Sequence, residues 1–139
     1  MNRSPLRFKR TACLFYTGVM LLTSVLPMQT RAGSTPFWAA LDPSLQNLLH
    51  IPMMAGFVFL FHRSLPSHVA LRRGSRLLAL GVAVALGIFM EGLQLGVPGR
   101  YPSWGDITLN LLGAVLGAFL LLTVPQKSSV EPKMQTWRH

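Results

Sequence analysis

Charged side chains all but vanish from four stretches of the chain, residues 11–28, 45–61, 77–97 and 107–124. A helix that crosses a bilayer needs about 20 predominantly apolar residues, with a working range of about 17–25. The first, third and fourth stretches meet that requirement comfortably. The second is shorter and carries Asn47, His50 and Pro52, yet we count it, because three spans would put the basic linkers on opposite sides of the membrane. The pattern therefore predicts one all-α domain, an integral membrane bundle of four transmembrane helices over residues 11–124. A short segment, residues 1–10, precedes it. A polar tail, residues 125–139, follows it and is expected to be disordered. Between the first two spans, Gly33, Pro36 and Pro43 provide turn chemistry, and Phe37 and Trp38 are expected at the membrane interface. No internal repeat or low-complexity segment is evident.

Composition supports the membrane. The chain is 50% hydrophobic and only 12% charged, whereas soluble domains carry about 25% charged residues. Thirteen Lys and Arg against four acids give a net charge of +9. That balance could signal nucleic acid, but here the basic residues sit between apolar runs and line no amphipathic surface, so no nucleic-acid partner is expected. They set orientation instead, since Lys and Arg are retained on the cytoplasmic side. With both termini inside (N-in/C-in), that side holds Arg3, Arg7, Lys9, Arg10, Arg63, Arg72, Arg73, Arg76, Lys127, Lys133 and Arg138, and the outside holds only Arg31 and Arg100. The expected location is the plasma (inner) membrane, crossed several times. A second reading of the first stretch is open: a basic start, an apolar run and "QTRAG" also describe a secretory signal cleaved after Ala32. The single cysteine, Cys13, excludes an intramolecular disulfide and reads as a packing residue.

Two of the four acids, Glu91 and Asp106, lie in or at the edge of these spans. A carboxylate near hydrocarbon costs about 2.5–3.5 kcal/mol even on lenient insertion scales, so such a residue points to function. On a helical projection, Gly87, Glu91 and Gln94 share one stripe of the third span, and Asp106, Asn110, Gly113 and Gly117 share one stripe of the fourth. The short connection from Pro98 makes the two helices antiparallel neighbours, and the stripes are expected to face each other, since lipid tolerates neither Glu91 nor Asn110. Gly113 and Gly117 form a G-x-x-x-G pattern that allows close backbone approach, and Ala83 with Gly87 offers a similar surface. At 1.5 Å per residue, Glu91 lies about 8 Å below a helix end near Gly96, Asn110 about 6 Å below Asp106, and His50 about 8 Å into the second span. The three are thus expected at one level in the outer half of the bilayer, with Arg100 held above the acids by its turn.

The order Glu91, Gln94, Pro98-Gly99-Arg100, Asp106, Asn110, Gly113 and Gly117, with a histidine near the start of the second span, resembles the VanZ-like membrane proteins. Their pattern reads E-x-x-Q, a P-G-R-type turn, then D-x-x-x-N-x-x-G-x-x-x-G. The resemblance covers roughly residues 46–124. Many members carry Asp-Lys-x-x-His where this chain has "QNLLH", so His50 aligns while Gln46 and Asn47 replace the acid and the lysine. The resemblance implies an integral membrane protein of the cell envelope, whose namesake confers low-level resistance to the glycopeptide antibiotic teicoplanin.

Several roles are compatible with these residues. In a binding protein, Glu91, Gln94, Arg100, Asp106 and Asn110 would hold a polar head group, such as a lipid-linked envelope intermediate. In an enzyme, Glu91 or Asp106 would act as base with His50 as partner, and Arg100 would steady an anionic group such as phosphate. No obvious nucleophile or metal-ligand motif accompanies them, and neither a metal nor another cofactor is expected. A transporter is the least favoured class, because four helices offer no inverted repeat. Structural roles compete: Asp106 as an N-cap, Asn110 and Gln94 as interhelical hydrogen bonders, His50 as a donor to a carbonyl, Trp104 as an interface anchor, and Gly87, Gly113 and Gly117 as packing residues. Membrane lipids are expected partners, and homo-oligomerisation is left open.

Overall fold

A computed structural model describes residues 4–27, 42–70, 74–98, 100–101 and 103–124. The Ala32 boundary, Phe37 and Trp38, Arg31, Arg72, Arg73 and the tail fall outside the described residues. The described residues form helices and no strands: α1 (Ser4–Ser24), α2 (Pro43–Leu48), α3 (His50–Ser64), α4 (Ser67–Ala70), α5 (Ser75–Gln94) and α6 (Trp104–Thr123).

Each boundary has a local cause. Asp42 caps α2 by accepting from the backbone N–H groups of Ser44 and Leu45, which holds its carboxyl below the ordinary aspartate range. Leu49 separates α2 from α3 but keeps helical angles, and it is bonded on both sides, to Leu45 and from Met53. The assigned break lies next to Leu48, whose carbonyl faces Pro52, a residue with no N–H to return. The pair therefore acts as one rod, and Ser44–Ser64 is apolar enough to cross a membrane. The stretch that looked marginal in sequence is 21 residues long.

By length and composition, three helical segments can span a bilayer among the described residues: Ser44–Ser64, Ser75–Gln94 and Trp104–Thr123. At 21 residues α1 is as long as these, but Arg7, Lys9 and Arg10 occupy its first turns. It nevertheless runs the full height of the bundle, antiparallel to α3. Near its start Arg10 Nε donates to the Ser64 carbonyl at 3.4 Å, midway the Tyr16 hydroxyl donates to the Met53 carbonyl at 3.0 Å, and at its far end it meets Arg100.

The distribution of side chains inverts that of a soluble protein. Leu77, Ile88, Phe89, Leu112, Phe119 and Leu122 are exposed, while Glu91, Gln94, Asp106, Asn110 and His62 are buried. An exposed apolar belt around buried polar groups is stable only where hydrocarbon covers the belt. Inside, Met54 and Val58 of α3 are fully buried, with Ala79 and Ala83 of α5 and Ala114 of α6 packed alongside. Small residues let α6 lie against α3. A Cβ on Gly113 would strike the Ile51 carbonyl, and one on Gly117 would come within 2.8 Å of the Ala55 carbonyl. The glycine pair therefore serves the α3–α6 contact. The face-to-face meeting of the α5 and α6 stripes expected from sequence holds only for their outer part.

Candidate functional site

Gly87 sets the register of α5 against α6. A Cβ there would come within 3.2 Å of Asn110 Cβ and 3.1 Å of the Met54 side chain, so Gly87 and Asn110 are in direct contact. The helices run antiparallel, and one turn outward on each brings Glu91 opposite Asp106. Both acids are buried, at 3% and 8% exposure, as are Gln94 and Asn110. The sequence-predicted stripe residues are thus all turned inward.

Below the acids, His50 Nδ1 lies 2.9 Å from Asn110 Oδ1. A carboxamide oxygen only accepts, so the imidazole donates through its Nδ1–H. Above them, the backbone N–H of Ser103 donates to Glu91 Oε2 at 3.4 Å. The expected single level is therefore two levels. Because α5 ends at Gln94 rather than near Gly96, Glu91 sits about 4.5 Å from its helix end, whereas Asn110 and His50 lie about 9 Å inside theirs.

Arg100 departs from expectation. It stays within electrostatic reach of Asp106 and Glu91, but its hydrogen bonds go elsewhere, from Nε to the Leu26 carbonyl at 3.0 Å and from a terminal nitrogen to the Thr23 carbonyl at 3.1 Å. The guanidinium thus closes off the carbonyl end of α1, a favourable place for a cation. Burial pulls its pKa down from the usual arginine value, and the two carboxylates oppose that shift.

Asp106 is not the N-cap of α6. The helix starts at Trp104, Ser103 is the cap, its hydroxyl accepting from Gly105 N–H at 3.0 Å, and Asp106 lies in the first turn. Sequence reasoning missed Ser103, although S-x-x-D before an apolar run is a helix-start signature. It also missed Met54, wedged against Gly87, and the carbonyls of Thr23 and Leu26. Trp104 is 85% exposed, as a group at the membrane interface would be.

Among the described residues, four buried side-chain polar atoms have no hydrogen-bond partner, and all belong to the predicted stripes: Glu91 Oε1, Gln94 Nε2, Asp106 Oδ1 and Asn110 Nδ2. Two can only accept and two can only donate when the acids are ionised. Among the described residues, no three His, Cys, Asp or Glu side chains are grouped to hold a metal ion.

Fold and site together define a helical membrane protein that gathers its polar groups between its helices. The chain belongs to the VanZ/LLP1 family, whose model matches residues 7–125. That match takes in α1, which lies outside the Glu-to-Gly pattern. No curated protein and no solved structure matches the chain.

Proposed function

We propose that the protein binds a polar group of an envelope ligand from the outer leaflet, between α5 and α6, as a four-span plasma-membrane protein with both termini in the cytoplasm. The observation that carries this reading is the set of four buried, unpartnered polar atoms on Glu91, Gln94, Asp106 and Asn110. Leaving such an atom unpaired costs about 1–3 kcal/mol, and four together are hard to retain as scaffold alone. The orientation rests on the ends of the bundle. Arg7, Lys9, Arg10, Arg63 and Arg76 gather where α1 and α5 begin and α3 ends, and Glu91, Arg100 and Asp106 lie at the opposite end. Reporter fusions near residues 31 and 100 should therefore read as external and those near 70 and 130 as cytoplasmic. An internal reading near 100 would remove the outer-leaflet site.

Binding is tested by mass spectrometry of the molecules that co-purify with the full chain in detergent. A polar lipid or lipid-linked species should accompany the wild type and be depleted from Glu91→Gln and Asn110→Leu at equal protein yield. Identical profiles in all three would defeat the reading. Turnover of the bound species, with Glu91 or Asp106 as base and His50 beside Asn110, would instead make the protein an enzyme. A part in glycopeptide resistance is a consequence of the same proposal: expression in a teicoplanin-susceptible bacterium should raise tolerance, and Glu91→Gln should remove the gain.

A further inference from the structure

The chemistry of the four unpartnered atoms narrows the ligand, given that the site binds one at all. Glu91 and Asp106 stand opposite each other across the α5–α6 contact, and each leaves one carboxylate oxygen unpaired. Arg100, within electrostatic reach of both acids, spends two of its nitrogens on the carbonyls of Thr23 and Leu26 and forms no ion pair with either acid among the described residues. Helix ends do not restore the balance. Asp106 lies in the first turn of α6, where the partial positive charge favours it, but Glu91 lies in the last turn of α5, where the partial negative charge opposes it. The interior thus holds two acids against one guanidinium already committed to the end of α1 and one imidazole, His50, whose Nδ1–H is spent on Asn110 Oδ1. A phosphate or another anion would add to that excess. A neutral polyol would satisfy hydrogen bonds but leave the excess charge. Only a cation bearing N–H donors answers both, and the carboxamide nitrogens of Gln94 and Asn110 still require an acceptor beside it.

We propose that the site receives a primary ammonium group, whose N–H bonds go to Glu91 Oε1 and Asp106 Oδ1, while oxygen atoms of the same ligand accept from the amides of Gln94 and Asn110. Acid and amide alternate on the two helices, Glu91 with Gln94 and Asp106 with Asn110. Each helix therefore offers one acceptor and one donor to an amino-alkyl group that carries nearby oxygen atoms. Such a group occurs on a lipid head or on a soluble amine.

The test uses the purified full chain in detergent, read by native mass spectrometry and by thermal melting. Phosphatidylethanolamine supplies the lipid-borne amine and O-phosphoethanolamine the soluble one; phosphatidylcholine supplies a cation without N–H donors, and phosphatidylglycerol a polyol anion. Binding of either amine probe, with choline and glycerol lipids at least about tenfold weaker, is expected. The stronger of the two amine probes identifies the source. Glu91→Gln and Asp106→Asn should each weaken amine binding about tenfold or more, and the ligand-free melting temperature of each variant controls for folding. Gln94→Leu supplies a second control, because it removes an unpaired buried donor and should weaken binding without lowering the ligand-free melting temperature. Equal binding of phosphatidylglycerol or phosphatidylcholine, lost on Glu91→Gln, would overturn the ammonium assignment while sparing the binding site. Amine binding unchanged in both acid variants would also overturn it. Binding of no probe by a wild type that carries no co-purifying lipid would remove the site itself.

Discussion

Gly113→Leu and Gly117→Leu will each deplete the folded protein from the membrane, and even alanine at these positions will lower the melting temperature measurably. A Cβ on Gly113 meets the Ile51 carbonyl, with Ile51 Cα and Met54 Cβ at 2.9 Å; one on Gly117 meets Ala55 Cα and Val58 Cβ at 2.9 Å. The opposing atoms belong to backbone or to the first side-chain carbon, so no rotamer change relieves the clash, and α6 must move off α3. Forcing extra atoms into a filled core costs about 1–3 kcal/mol, a large share of the 5–15 kcal/mol or so that holds a typical domain together. Gly81→Ala is the control, since its Cβ would meet nothing within 4 Å and helix propensity alone favours alanine by about 1 kcal/mol. If Gly113→Ala melts with Gly81→Ala in detergent, the α3–α6 contact is wrong.

Arg100→Ala should cost about 2–4 kcal/mol of stability, because two hydrogen bonds from a charged donor are lost, each worth about 1.5–3 kcal/mol before overlap. The carbonyls of Thr23 and Leu26 would lose the cation that answers them, and α1 would loosen from the loop that follows α5. Arg100→Lys keeps the charge but not the fork that reaches two carbonyls at once, so it should recover only part of the loss. The expected signature is a lowered melting temperature and proteolytic nicking near the end of α1. Unchanged melting in both variants, with ligand binding lost, would return Arg100 to the role its position in the sequence suggested, as a group that contacts the ligand directly.

Much of this architecture was legible before any coordinates. The apolar lengths of the second, third and fourth stretches placed the three spans. The helical period placed Gly87, Glu91, Gln94, Asp106, Asn110, Gly113 and Gly117 on inward faces, and all seven are buried. Both features follow from properties carried along a single helix. Hydrocarbon demands a minimum apolar length, and 100° per residue decides which side chains share a face.

Which neighbour each group meets was not legible, and it changed the reading of four residues. Gly113 and Gly117 share a stripe with Asn110, yet they pack on α3 while Asn110 packs on Gly87 of α5, because α6 lies in a groove between two helices and presents one stripe to both. Asp106 sat at the expected helix start, but the cap formed one turn earlier, at Ser103, since the hydroxyl there reaches the Gly105 N–H. Arg100 lay beside two acids in sequence and bonded instead to carbonyls 74 and 77 residues away. Local periodicity determined the faces of the helices. Their partners were decided by how the helices rotate and stack, and that depends on steric fit and on carbonyl groups that every residue carries and no residue type announces.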